Sequence, residues 1–142
     1  MKVTLDAYAV IAALLGERAR VEVQPLIESA AICAPNLAEV LDVCVRAHGN
    51  DEPTVRERLG WLITGGLDVV PLDSGLALAA GSLRARHYHR QRCAISLGDC
   101  CALALAKHRG WSLATADPDL ARTARCESVD VVALPDSRGK RP

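Results

Sequence analysis

Short apolar runs alternate with stretches of helical spacing along nearly the whole chain, and that alternation constrains its fold more than any other feature. Lys2–Leu5, Ala30–Cys33, Leu67–Leu72, the residues between Gly110 and Asp117, and Asp130–Leu134 read as strands. Between them Val10, Ile11, Leu14 and Leu15 fall on one helical face. So do Leu37, Val40, Leu41 and Cys44, then Val55, Leu59, Leu62 and Ile63, then Leu76, Ala79, Ala80 and Leu83. The spacing predicts helices over Ala7–Leu15, Val21–Ile27, Pro35–His48, Thr54–Thr64, Asp73–Tyr88 and Cys100–His108, with a last one opening at Asp117 and reaching about Arg125. Pro25 is compatible with the second of these only in its first turn. Strands alternating with helices in this way indicate an α/β fold around a mostly parallel sheet of about five strands. The short connections allow helices on both faces.

A chain of 142 residues, half of them apolar, suits one domain with a substantial core. The single domain is expected over residues 1–134, and the polar, basic stretch 135–142 is expected to be disordered. With no Phe and only two Trp and two Tyr, the core must be aliphatic. Formal charge is zero, so no global field announces a nucleic-acid binder. Nothing is long enough to cross a bilayer. The apolar start Val3–Leu15 is interrupted by Asp6 and lacks a signal-peptide pattern, which points to a cytoplasmic protein. Six cysteines form no CxxC pair and have no histidine spaced to complete a zinc site. They read as reduced, mostly buried thiols.

Four acidic residues stand at junctions where a parallel sheet gathers its ligands. Each has a local explanation. Asp6 lies between a strand and a helix, where Asp is a favoured N-cap. Asn36 and Glu39 have capping-box spacing, as do Ser96 and Asp99. Asp117 followed by Pro118 resembles an N-cap with proline at the first helical position. Together they mean more. Asp6 and Asp117 follow strands, and Glu39 and Asp99 open helices that begin at the same edge. Ligands of open α/β sheets bind beyond the carboxyl ends of the strands. Four carboxylates meeting there repel unless a cation neutralises them. An oxygen-only donor set suits a hard ion, Mg²⁺ or Mn²⁺.

The segments LDAYAVIAALLG, APNLAEVLDVC and SLGDCCALALAKHRGWSLATADPDL resemble the PIN domain family, and within it the VapC-type ribonuclease toxins of toxin–antitoxin pairs. The resemblance runs from about Val3 to Val132. It implies a PIN-like three-layer α/β/α fold and a metal-dependent endoribonuclease that cleaves tRNA or rRNA and inhibits translation. Asp6, Glu39 and Asp99 match the three invariant acids, and Asp117 the fourth. Ser96 and Thr115 match hydroxyl positions beside the third and fourth acids, and with Asp119 they are expected to orient the metal's ligands or to contact phosphate. Two departures stand out: Leu120 where relatives often carry an aromatic, and Asp119 as a second acid beside Asp117. The resemblance further implies Mg²⁺ or Mn²⁺ as cofactor and an RNA substrate. It also implies a VapB-type antitoxin whose tail can place an Arg or Lys in the acidic pocket, a homodimer, and a toxin–antitoxin hetero-oligomer.

RNA needs positive charge around an acidic pocket. The densest basic run is Arg84, Arg86, Arg90 and Arg92, with His87 and His89 among them. It reads either as a phosphate-binding rim or as a solvated helix end favoured by the dipole. None of the four histidines lies at an expected strand end, so histidine acid–base catalysis is not indicated. Two other readings compete with the toxin. A PIN nuclease of RNA processing would usually carry extra domains or long insertions. A receiver-like signalling domain would want a lysine ending a late strand, whereas Lys107 falls within a helix and Lys2 and Lys140 are terminal.

Overall fold

The structure is a computed structural model describing residues 1–142. Its strands are β1 (Val3–Leu5), β2 (Ala30–Cys33), β3 (Asp68–Val70), β4 (Ser112–Thr115) and β5 (Val131–Ala133). Its helices are α1 (Ala7–Leu15), α2 (Arg20–Val23), α3 (Ala34–Asp42), α4 (Glu52–Thr64), α5 (Ser74–His87), α6 (Leu97–Arg109) and α7 (Pro118–Cys126). All strand pairings are parallel, in the order β3-β2-β1-β4-β5. In register, Val3 stands between Ala30 and Ser112, and Thr4 between Ala31 and Leu113.

Three layers follow from strand alternation. Val3, Leu5, Ala30, Ile32 and Ala114 face a core built with α1, α2, α3 and α4, through Val10, Val23, Val40, Val55 and Leu59. Ala31, Cys33 and Leu113 face a second core built with α5, α6 and α7, through Leu76, Leu83, Leu103, Leu105 and Leu120. Helix α6 is the central element of that layer. Every residue from Cys100 to Ala106 is buried, so its unbroken Ala, Leu and Cys composition reflects burial all round and explains two adjacent buried cysteines. Burying one such Leu contributes roughly 1.5–3 kcal/mol. Gly110 ends α6 at φ +65°, where a side chain would be strained, and turns the chain into β4.

Several local expectations are corrected. The helix expected over Val21–Ile27 splits into α2 and a 3₁₀ segment, Gln24–Ser29, with Pro25 in the first turn of the latter. The helix expected from Pro35 to His48 widens to a π-helical turn at Val43–Ala47. Helix α4 starts two residues before Thr54, capped by the Asp51 carboxylate. Residues 135–142 turn back toward α1 and α2. Asp136 accepts from the backbone N–H groups of Arg138 and Lys140, Tyr8 donates to the Pro135 carbonyl, and Arg141 forms a two-pronged pair with Glu22 on α2. All six cysteines are free. No helix is long and apolar enough to cross a membrane.

The connectivity creates one switch point. From β1 the chain steps outward through β2 to β3 with its helices on one face. It then crosses to β4 on the far side of β1, with its helices on the other face. Beyond the carboxyl ends of β1 and β4 the connecting segments diverge, which is where a doubly wound sheet opens a crevice.

Candidate active site

Asp6 follows β1 directly. Its Oδ1 accepts the Ala9 N–H at 2.8 Å and so caps α1. Only 4% of the residue is exposed. Burial pushes its carboxyl up to about 7; hydrogen bonds from Thr115 and the Ala9 backbone pull the other way, and the charges of Asp99 and Asp117 add to the rise. One buried acid thus feels two others across the β1/β4 crevice.

Asp117 follows β4 and caps α7, its Oδ1 accepting the Leu120 N–H at 2.9 Å with Pro118 in the first turn. Thr115 links the two strand ends. Its hydroxyl oxygen accepts the Asp117 N–H at 3.0 Å, and the same hydroxyl serves Asp6. Asp99 arrives from above on α6. Ser96 and Asp99 form a reciprocal capping box: Asp99 N–H donates to Ser96 Oγ at 3.0 Å, and Ser96 N–H donates to Asp99 Oδ2 at 2.7 Å. Burial raises Asp99, the bonds with Ser96 restrain it, and the charges of Asp117 and Asp119 raise it further.

Glu39 is placed differently from its expected position. Cys33, not Asn36, is the N-cap of α3, and Asn36 and Glu39 make no capping box. Pro35 in the first turn sets the helix start two residues ahead of Asn36. Glu39 therefore lies a turn into α3, facing the start of α6: its Oε2 would be 3.2 Å from a Cβ built on Gly98. Burial raises Glu39, and the charges of Asp99 and Asp42 add to it. Asp119 is engaged elsewhere, paired with Arg122 and accepting the Ala94 N–H at 3.1 Å. It braces the loop into α6 rather than facing the crevice unpaired, which leaves Asp117 the freer of the two.

The acids are neighbours without having converged: no three His, Cys, Asp or Glu side chains close on a common point tightly enough to hold an ion. The donor chemistry nonetheless fits a hard cation. Asp99 and Asp117 each keep one carboxylate oxygen free of protein donors. Asp6 is an acid held in apolar surroundings against two further charges, an arrangement that a divalent ion relieves.

The basic run divides. Arg84 donates to the Ile95 carbonyl at 3.1 Å and stacks 4.2 Å over the Tyr88 ring. Arg86 and His87 bind Glu127, just past the end of α7, with Lys107 on the same carboxylate. Glu127 precedes β5 and Asp117 caps the opposite end of α7, so Arg86 is bound at the far end of a nine-residue helix, about 14 Å long, from Asp117. Arg90 and Arg92 remain. They flank Gln91 in a tight hairpin closed by the His89–Cys93 backbone pair, with His89 Nδ1 accepting the Gln91 and Arg92 N–H groups. Neither arginine side chain has a carboxylate partner, and both residues are exposed. Asn36, also near Glu39, donates to the Gly98 carbonyl at 2.9 Å, a contact that its spacing to Glu39 alone does not reveal.

The sequence profile of the PIN domain matches residues 3–125. The chain belongs to the PIN domain family. No curated protein matches it in sequence. Among solved structures, FitAcB from Neisseria gonorrhoeae is 22% identical with a TM-score of 0.66, over 91% of this chain and 95% of that one. VapBC2 from Rickettsia felis, bound to a DNA fragment from their promoter, is 15% identical at a TM-score of 0.68, over 92% and 97%. VapC20 from Mycobacterium tuberculosis, a sarcin-ricin loop cleaving toxin, is 16% identical at 0.68, over 85% and 94%. At these identities the likeness is one of fold.

Proposed function

We propose that this chain is a divalent-metal-dependent endoribonuclease, the toxin of a VapBC-type pair, working at the β1/β4 crevice. The observation that carries the reading is Asp6, a carboxylate buried at the switch point and pushed up to about 7 with Asp99 and Asp117 beside it. Asp6 and Asp99 would hold Mg²⁺ or Mn²⁺ directly, and Glu39 and Asp117 would assist through water or by orienting the nucleophile. A bound divalent ion lowers the pKa of its water and stabilises charge on a scissile phosphate. The chain's own residues prepare the rest. Thr115 ties Asp6 to Asp117, the Ser96 box fixes the Asp99 rotamer, and Ser96 is exposed at the crevice, where its hydroxyl can meet a phosphate oxygen. Arg90 and Arg92 are the exposed cations that offset an acidic pocket for RNA.

Support for an antitoxin partner is the fold shared with toxin–antitoxin complexes and the shape of this chain. A groove between α1, α4 and the segment from α2 through the 3₁₀ turn, lined by Ala13, Leu14, Ile27, Trp61 and Leu62 together with Arg20, Gln24 and Arg58, leaves Trp61 64% exposed. It suits an apolar segment of an antitoxin, or a second copy of the chain. The substrate is a ribosomal or transfer RNA, and the likeness to a toxin that cuts the sarcin-ricin loop favours the ribosomal one. The receiver-like alternative loses ground, because such domains order their strands 2-1-3-4-5 and this sheet runs 3-2-1-4-5. Purified protein should cleave RNA in Mg²⁺ or Mn²⁺, lose that activity in EDTA, and lose it again on Asp6→Ala. Cleavage that persists in EDTA, or near-normal cleavage by Asp99→Asn, would overturn the assignment.

A further inference from the structure

Asn36 is buried, at 1% exposure, on a helix whose other inward residues are apolar. Its Nδ2 donates to the carbonyl of Gly98 in the first turn of α6, at 2.9 Å. No other side-chain hydrogen bond joins α3 to α6. Its Oδ1 is buried and meets no donor, so the amide is held at one end only, by Gly98. A buried amide with an unmet acceptor is less stabilising than an apolar side chain of the same size. What it supplies is position.

The position concerns two acids. Glu39 follows Asn36 by three residues and shares its helical face; Asp99 follows Gly98 directly. The point where a Cβ on Gly98 would stand lies 3.2 Å from Glu39 Oε2, 3.6 Å from Ser96 Oγ and 3.7 Å from Asn36 Nδ2. The missing side chain lets the Glu39 carboxylate lie against the start of α6, and the Asn36 amide locks the two helices at that spacing. From this geometry we infer that Asn36 is a positioning residue and that Gly98 is its counterpart. The Asn36–Gly98 latch sets the separation of Glu39 from Asp99, and hence the affinity of the carboxylate group for a divalent cation. The inference rests on the metal-nuclease reading above and adds to it a residue outside the acidic set.

The test uses the full chain with Mn²⁺ as the calorimetric probe, and RNA cleavage as a second readout. Asn36→Leu keeps the size and removes the donor. It should weaken Mn²⁺ binding roughly tenfold, in the range seen when groups orienting metal ligands are removed, and lower kcat with KM unchanged. Gly98→Ala keeps the amide but crowds Glu39, and should produce the same loss through a different atom. In a Glu39→Gln background, Asn36→Leu should have less than a twofold further effect, because the residue acts through Glu39. Wild-type Mn²⁺ affinity in both Asn36→Leu and Gly98→Ala would overturn the inference, and so would an undiminished effect of Asn36→Leu in the Glu39→Gln background. Failure of the wild-type chain itself to bind Mn²⁺ would instead remove the metal-nuclease reading on which the latch depends.

Discussion

Asp6 shows how one side chain can serve the fold and oppose it. As a cap it satisfies the start of α1, a role that contributes about 1 kcal/mol. As a buried acid it is held up at about 7 from an ordinary 3.8. The native state therefore keeps a proton that the unfolded chain releases. Stability from this group is complete below about pH 4 and declines as the pH rises through 7. Full linkage over that interval amounts to about 4 kcal/mol at most, and relaxation of the site brings the expected effect to about 1–3 kcal/mol. Asp6→Asn keeps a competent cap and removes the charge. It should raise the melting temperature at pH 8, leave it unchanged near pH 4, and abolish the stabilisation that Mn²⁺ gives the wild type, all readable by thermal unfolding with and without the ion. Asp6, Asp99 and Asp117 were legible in the sequence because capping leaves a signature at fixed spacing. Asn36 was not, because its partner Gly98 is 62 residues away and no local pattern marks a bond across that distance.

Elements are pinned together at the edge opposite the acids. Glu127 gathers Arg86 and His87 from α5 and Lys107 from α6, with its side chain only 11% exposed. Hydrogen bonds from His87, then Lys107, then Arg86 hold its carboxyl down at about 2. A depressed acid contributes above its ordinary value of 4.5, and the contribution is lost as the pH falls through 2. Glu127→Ala should destabilise by about 1–3 kcal/mol at neutral pH, and the gap should narrow at about pH 3.5 in urea unfolding. A basic run that looked uniform in sequence thus divides in space: the Glu127 cluster takes Arg86, the Ile95 carbonyl and Tyr88 ring hold Arg84, and a hairpin presents Arg90 and Arg92. Charge reversal at both hairpin arginines should weaken RNA binding and flatten its salt dependence by roughly 0.7 in slope per lost phosphate contact. Equal reversal of Arg86 should instead report on stability. Filter binding across a salt series separates the two.

At the scale of the whole molecule, the chain closes on itself through its last residues. Arg141 reaches Glu22 and the Ala133 carbonyl, tying the end of the sheet to α2. Both partners are about half exposed, so the pair is worth less than about 1 kcal/mol. Arg141→Ala should cost no more than that in denaturant unfolding, and the difference should shrink in high salt. The α/β class, the strand positions and the capping acids follow from the sequence alone, because hydrophobic period and cap chemistry are local and each is written within a dozen residues. Three things belonged to the tertiary structure. The order β3-β2-β1-β4-β5 put the switch point between β1 and β4, which brought Asp6 and Asp117 across from one another. Packing of α3 on α6 set the Glu39 carboxylate against Gly98 at the start of α6. Ion pairing decided which arginines remain free. Each depends on contacts between residues far apart in the chain, and a linear pattern carries no record of those.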